Sequence, residues 1–371
     1  MINKERIVEE FINLVEIDSI PREEREMADR LKADLQNLGC NVYEDNTGEK
    51  IDGNAGNLIA ELPGDPDLPV VLLSAHMDRV EPGKGVEAMI DNGYIKSKGE
   101  TVLGGDDIIG VVAILETLRE IKDSKKNPTI KIIFSVAEEA GLMGTKNMDS
   151  KIYNDVDYGI VLDVDGEIGK VVYQAPSQNK FNAIIKGKAA HAGMEPENGV
   201  NAIKIASHAI SDMKLGQIDE ETTANIGVIR GGVASNIVPD LVELEGEVRS
   251  LNHNKLKQQT DDMKDIIDKY VGKYNGEVDY DIKLNYSNFS LDLKSGLIKI
   301  VKKAARKLEL PYNLASSGGG SDANIYNNQG LPTVNLEIRM EKVHSTDERV
   351  KIDNMLKLTE YLMTIIDTMR E

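Results

Sequence analysis

The sequence predicts an α/β protein, a largely parallel sheet with crossover helices, split by an inserted sandwich of β-α-β-β-α-β order. Three observations predict it. Apolar runs such as Pro69 to Ala75 (PVVLLSA) and Tyr158 to Leu162 (YGIVL) are continuous, as in strands buried on both faces. These runs alternate with helical patterns through the first half, which implies crossover helices. After about residue 175 the signals follow the order of a ferredoxin-like sandwich.

Each element has its own cue. Ile7, Val8, Phe11, Ile12 and Val15 fall on one helical face. Ser19-Ile20-Pro21 reads as a cap and first-turn proline, opening a second helix that stops at Gly39. A strand at Pro69 to Ala75 precedes a helix patterned by Ile108, Val111, Val112, Leu115 and Leu118. Strands follow at Thr129 to Val136 and Tyr158 to Leu162. The insert reads as a strand at 179–187, a helix at 198–213, strands at 224–230 and 241–249, a helix at 253–274 and a strand at 277–286. A helix at 295–308, an apolar strand at 333–336 and a last helix at 353–369 return to the first style. The expected organisation is therefore a first segment 1–176, an inserted domain 177–292 and a second segment 293–371. A loop of small residues, Ser316 to Asp322, is the one compositional oddity.

Composition bounds the function. A chain of 371 residues suits about two domains of roughly 150 residues. Its 63 acidic and 44 basic residues give a net charge of −19, the wrong sign for nonspecific nucleic-acid binding. A single cysteine, Cys40, excludes an internal disulfide framework and a thiolate zinc cluster. No apolar run reaches the roughly 18 residues of a membrane span. The charged amphipathic start is unlike a secretory signal, so a cytoplasmic protein is expected, with no nucleic-acid or membrane partner.

Chemistry concentrates just past strand ends, where open α/β sheets gather their ligands. His76 and Asp78 follow one strand, Glu138 and Glu139 the next, and Asp163 a third. Asp106 and Asp107 precede a helix, and His344 lies in a loop beyond the strand at 333–336. Carboxylates crowded in a cleft raise one another's pKa unless a counter-charge is present. Arg79 is the one basic neighbour in the first motif, so a divalent cation, or two, resolves the conflict. Histidine with carboxylates and no thiolate suits zinc, with manganese or cobalt possible. Asp78, two residues after His76, is placed to accept the other ring N–H of a metal-bound imidazole. Taken singly the features are bland: an Asp-Asp pair before a helix is commonly a cap, and Glu-Glu after a strand a solvated turn. Their joint placement lifts them above that, while His208 and His253 read as structural or surface residues.

Six motifs in order carry a resemblance over essentially the whole chain. They are Ser74-Ala75-His76-Met77-Asp78-Arg79-Val80, Leu103-Gly104-Gly105-Asp106-Asp107, Ala137-Glu138-Glu139-Ala140-Gly141, Ala190-His191-Ala192-Gly193, Ser317-Gly318-Gly319-Gly320-Ser321-Asp322 and His344-Ser345. Together they resemble the di-zinc peptidases that include peptidase T, carboxypeptidase G and aminoacylase, nearest the shorter peptidase T-like proteins. The resemblance implies a zinc-peptidase-like catalytic domain with an inserted lid and dimerisation domain. It implies one metal on His76, Asp106 and Asp163, and a second on Asp106, Glu139 and His344, with Asp106 bridging. Glu138 would be the general base and Asp78 would orient His76. His191 would polarise the scissile carbonyl, in its own or a neighbouring subunit's site. Arg249 and Asn236 would contact the substrate, and Gly318, Gly319 and Gly320 would line its pocket.

Two points depart from the pattern. Ile108 stands where this branch usually has lysine. Leu162-Asp163-Val164-Asp165 offers two aspartates for one ligand position, and Asp163 is chosen because it ends the apolar run. The expected activity is metallo-aminopeptidase action on short peptides, tripeptides foremost, by a homodimer joined through the insert. The alternatives are an N-acyl-amino-acid deacylase or carboxypeptidase of the same di-metal family, a metal-free hydrolase using Glu138 and Asp163, and a noncatalytic two-domain binding protein.

Overall fold

The computed structural model describes residues 2–124 and 126–371. In chain order the elements are α1 (Lys4–Val15), α2 (Arg25–Asn37), β1 (Asn41–Glu44), α3 (Thr47–Ile51), β2 (Leu58–Leu62), β3 (Val70–His76), β4 (Ala88–Asp91), β5 (Tyr94–Ser97), α4 (Gly105–Ile121), β6 (Thr129–Ser135), α5 (Met143–Asn147), β7 (Tyr158–Val164) and β8 (Lys170–Ala175). They continue with β9 (Ser177–Lys186), α6 (Ala202–Asp212), β10 (Gly216–Gln217), β11 (Thr222–Gly231), β12 (Leu241–Ser250), α7 (His253–Tyr274) and β13 (Glu277–Tyr286). The last are β14 (Phe289–Ser290), α8 (Gly296–Lys307), β15 (Asn313–Ser316), α9 (Asp322–Asn328), β16 (Thr333–Glu337), β17 (Met340–Glu341), β18 (Arg349–Lys351) and α10 (Ile352–Thr368).

The chain divides into two compact units. One comprises Met1–Tyr173, Ser290–Ser317 and Ser321–Glu371; the other comprises Gln174–Phe289 with Gly318–Gly320. The first is built on a sheet of order β1-β2-β6-β3-β7-β16-β8-β14, with β15 beside β8. Its central strands β6, β3, β7 and β16 run parallel, while β1, β2 and β8 pair antiparallel on the flanks. The continuous apolar runs are these central strands, because their two faces are both covered. Helix α4 is apolar almost all round and buried from Gly105 to Leu118, packing against β3, α1 and α10. A second, antiparallel sheet of order β17-β18-β5-β4 completes this unit. It is absent from the sequence reading, because its strands are two to four residues long and carry too little periodicity to register.

The second unit is the ferredoxin-like sandwich. Its four long strands lie in the order β11-β12-β9-β13, all antiparallel, with the short β10 added beyond β11. Alternation decides the faces. Phe181, Ala183 and Ile185 of β9 and Val242, Leu244 and Val248 of β12 are buried in one cluster with α6 and α7. Asn201 and Asn252 cap the two helices with their side chains.

One local expectation is corrected. Ser19-Ile20-Pro21 does not open α2, which begins at Arg25. Ser19 is fully buried and its hydroxyl donates to the Met77 carbonyl at 2.7 Å, so it is unavailable as a cap. Among the described residues, no helix is long and apolar enough to cross a membrane.

Candidate metal centre

The parallel core of the first unit sets out the site. His76 ends β3 in register with Ser135, the end of β6. The loop after β6 carries Glu138 and Glu139, Asp163 lies near the end of β7, and Asp106 stands at the start of α4. Asp106 faces two ways. Its Oδ1 is 3.2 Å from His76 Nε2, and its Oδ2 is 3.1 Å from His344 Nε2. His344 Nε2 is also 2.8 Å from Glu139 Oε1, and Asp163 Oδ1 is 3.8 Å from His76 Nε2. Thus His76, Asp106, Glu139, Asp163 and His344, five residues chosen from sequence, converge. Donor atoms of His76, Asp106 and Glu139 lie within 4.8 Å of one another, as do those of His76, Asp107 and Asp163.

The ring of His76 tests whether this group fits a cation. Its Nδ1 is 2.9 Å from the backbone carbonyl of Asp78. A carbonyl only accepts, so Nδ1 holds a proton and Nε2 is left to face Asp106 and Asp163. In the neutral ring that is a lone pair turned toward two carboxylates, a conflict that either a cation between them or a proton on Nε2 relieves. Without a cation, burial is outweighed by Asp106, Asp78 and Asp163, which raise the imidazole well above its ordinary range. The surroundings point the same way. Burial, with repulsion from Asp163, Asp322 and Glu139, pushes the Glu138 carboxyl well above the ordinary range. Burial does the same to Asp163 and Asp107, and raises Glu139 against the pull of His344. Asp106 is the exception: burial is outweighed by hydrogen bonds from His344 and His76, and its carboxyl is lowered. His344 is pushed up to about 10 by Asp106 and Glu139. Imidazole nitrogens and carboxylate oxygens, with no thiolate, form a donor set suited to zinc, manganese or cobalt.

Asp78 reaches His76 through its main chain. Its carboxylate, with Oδ1 3.6 Å from His76 Nδ1, accepts instead the N–H groups of Glu138 at 2.9 Å and Glu139 at 3.1 Å. It therefore fixes the loop that carries both glutamates. Arg79 turns away, its buried guanidinium donating to the carbonyls of Val15 and Ile17. Asp165 is exposed, whereas Asp163 is half-buried beside His76. Ile108 is buried in the core of this unit.

The remaining expected residues belong to the second unit. His191 and Asn236 are brought together by main-chain pairing, with the Ala192 N–H donating to the Asn236 carbonyl at 2.9 Å. The His191 ring accepts at Nδ1 from the N–H groups of Gly193 and Met194, at 3.2 and 3.1 Å. Its proton is thereby placed on Nε2. Arg249 is held by Glu247 through two bonds of 2.8 and 3.0 Å and donates to the Gly318 carbonyl at 3.3 Å. Gly320 lies against Tyr286, whose hydroxyl accepts its N–H at 3.1 Å. A Cβ at Gly320 would stand 2.3 Å from that ring, so only glycine fits.

Two buried acids, Glu348 and Glu24, escaped the sequence reading, and a third, Asp322, ends the motif that begins at Ser317. Glu348 accepts the N–H groups of Leu103, Gly104 and Asp106 at 2.9, 2.9 and 3.2 Å. Glu24 accepts those of Arg22 and Ala137 at 2.8 and 2.9 Å, and burial pushes its carboxyl up to about 7. Asp322 accepts hydroxyls from Ser135 at 2.5 Å and Thr145 at 2.6 Å. The only signal for Glu348 was indirect: Gly104 and Gly105 leave the turn before a helix without side chains to hold it.

Comparison with known proteins adds to this geometry. A model described as the peptidase dimerisation domain matches residues 177–275, and one described as peptidase family M28 matches 57–204. Peptidase T of Fusobacterium nucleatum is 30% identical over 300 residues, covering 78% of this chain and 70% of that protein. Among solved structures, an aminopeptidase PepT from Bacillus cereus is 40% identical with a TM-score of 0.90, and a tripeptidase from Staphylococcus aureus is 38% identical with a TM-score of 0.95. In both cases 100% of each chain is covered.

Proposed function

The chain belongs to the peptidase T-like family of M20 metallopeptidases, and from that premise we propose that it is a two-metal aminopeptidase. It removes the N-terminal residue of short peptides, tripeptides foremost, as a cytoplasmic homodimer. The observation that carries the reading is Asp106, with one carboxylate oxygen on His76 and the other on His344. One ion would be held by His76, Asp106 and Asp163, the other by Asp106, Glu139 and His344, and zinc is the metal favoured. Bound there, the pair would acidify a shared water and polarise the peptide carbonyl.

The protein's own groups do the rest. Glu138 takes the water's proton on a carboxylate oxygen and returns it to the leaving amine nitrogen. Asp78 holds the Glu138 and Glu139 N–H groups, so one side chain can serve as base while its neighbour serves as ligand. His191, with its proton on Nε2, donates to the carbonyl oxygen as negative charge develops. Arg249 and Asn236 orient the substrate, with Gly319 and Gly320 lining its pocket.

The homodimer is supported by the contrast between two sheet edges. Strand β13 alternates charged residues along its length (EVDYDIKLNY), a pattern that discourages pairing. Strand β11 pairs with β10 only at Thr223 and Ala224. Beyond them Ile229 is 51% exposed, and the following loop leaves Val233 83% exposed.

The test is hydrolysis of di-, tri- and N-acetylated peptides by protein loaded in turn with zinc, manganese and cobalt. The proposal expects cleavage of free tripeptides and none of their acetylated forms. Preference for the acetylated substrates would replace it with the deacylase alternative.

A further inference from the structure

Helix α4 is capped locally by Asp107, whose Oδ1 accepts the Gly110 N–H at 3.2 Å, but the turn that leads into it is held from elsewhere in the chain. Gly104, in that turn, has no side chain, and the backbone at Asp106 and Asp107 is not helical. The first N–H groups of a helix lack intrahelical partners and carry the positive end of its dipole. In α4 Asp107 serves one of them, and the N–H groups of the turn ahead of it are satisfied from a distant part of the chain. Glu348 is 2% exposed; its Oε2 accepts from Leu103 and Gly104, and its Oε1 from Asp106. The approach is close enough to dictate sequence. A Cβ at Gly105 would lie 2.6 Å from Val350 Cγ2 and 3.1 Å from Glu348 Oε1, so a side chain here would collide with Val350 and press on the carboxylate.

Glu348 also follows His344 by four residues, and its own N–H donates to the Ser345 carbonyl at 3.0 Å. One carboxylate therefore ties the turn that carries Asp106 to the segment that carries His344. We propose that Glu348 is a positioning residue of the metal centre, pinning the turn before α4 from across the unit and setting Asp106 so that its two oxygens face His76 and His344. The inference rests on the two-metal reading above. Glu348 does not ligate; it acts through Asp106 and His344. Groups that orient metal ligands typically change metal affinity by about 10- to 100-fold when removed.

The test uses the full-length protein stripped of metal and titrated with zinc by calorimetry, with the visible spectrum of the cobalt-loaded protein as a second readout. Glu348→Gln keeps the shape but replaces one acceptor oxygen by an amide nitrogen, which donates and cannot accept an N–H. The expected result is a loss of about 10- to 100-fold in zinc affinity and an altered cobalt spectrum. Glu116→Gln is the matched control. It removes a buried carboxylate of the same helix that accepts from Arg6 and from the Asn3 N–H, away from the ligands, and both readouts should stay as in the wild type. Gly105→Ala displaces the Glu348 carboxylate without removing it and should shift both readouts in the same direction, which decides the matter should Glu348→Gln not fold. Wild-type affinity and spectrum in a folded Glu348→Gln protein, or an equal loss in Glu116→Gln, would overturn the inference while leaving the two-metal reading intact. A wild-type protein that binds no zinc would overturn both.

Discussion

The two units treat their polar groups in opposite ways. In the first, His76 and several carboxylates are carried into the interior at or beside the ends of parallel strands, with His344 half-exposed, and they are held largely by other buried groups. Asp78 holds the Glu138–Glu139 loop, Glu348 holds the Asp106 turn, and the Asp78 carbonyl sets the His76 ring. In the second, the candidate residues sit on exposed or half-exposed strand ends and loops and are tied chiefly to near neighbours. Arg249 is bound to Glu247 two residues away, and His191 to the N–H groups of the turn that follows it. Burying several acids together is costly unless something neutralises them, so the first arrangement needs a ligand to make sense. The second makes sense on its own as surface chemistry. The comparison teaches that electrostatic crowding identifies a metal centre, whereas residues that only meet a substrate leave little trace in a free protein.

Substitutions can sharpen or break this contrast. The largest effect is expected from Glu138→Ala, which should keep its metal yet lose about 10²- to 10⁴-fold in turnover, measured by steady-state kinetics with metal content on the same samples. An unchanged turnover number would remove Glu138 from the role of base. Next comes His191→Ala, in the second unit, expected to lower kcat by about 10²- to 10³-fold with metal binding unaffected. If kcat held, the second unit would contribute no donor to the reaction and the contrast would become absolute. Arg249→Met should act on substrate binding, raising KM by roughly 10-fold with little change in kcat, as loss of a charged hydrogen bond does. A fall in thermal stability with normal KM would reduce Arg249 to the partner of Glu247.

The smallest effect on activity, and the one read in stability, concerns Glu24. Its carboxyl is raised from 4.5 to about 7 in the folded protein, chiefly by burial and then by the charge of Asp78. The folded state thus binds a proton that the unfolded chain has released between those two values. The associated stability is complete below about pH 4.5 and is lost as pH rises through about 7. Glu24→Gln cannot lose that proton, so its urea midpoint relative to the wild type should rise between pH 5 and pH 8. A pH-independent difference would show that Glu24 keeps its charge in the fold.

Much of this was legible in the sequence because the chemistry follows the strands. The apolar runs ending at Ala75, Val136 and Leu162 predicted a sheet edge, and the acids and histidines next to them were therefore predicted to meet. The ferredoxin-like order was equally plain, since its strands are ten residues long and alternate. What stayed hidden was held by tertiary contact. Ser19 looks like a helix cap until the fold buries it against Met77. Asp78 was expected to use its carboxylate on His76, but the tight path of the chain brings its carbonyl there first, freeing the side chain for the next loop. Glu348 sits in a charged stretch, Asp347-Glu348-Arg349, that reads as surface, and only the packing of Val350 beside Gly105 draws it inside. The roles of His191, Asn236 and Arg249 came from resemblance alone, because nothing local distinguishes them from surface residues.

The account turns on whether cations fill the space between His76, Asp106 and His344. Elemental analysis of purified, active protein, before and after chelation, tests that most directly. The account predicts two divalent ions per chain, activity lost when they are removed and regained when they are restored. Full activity in protein free of divalent metal would contradict it.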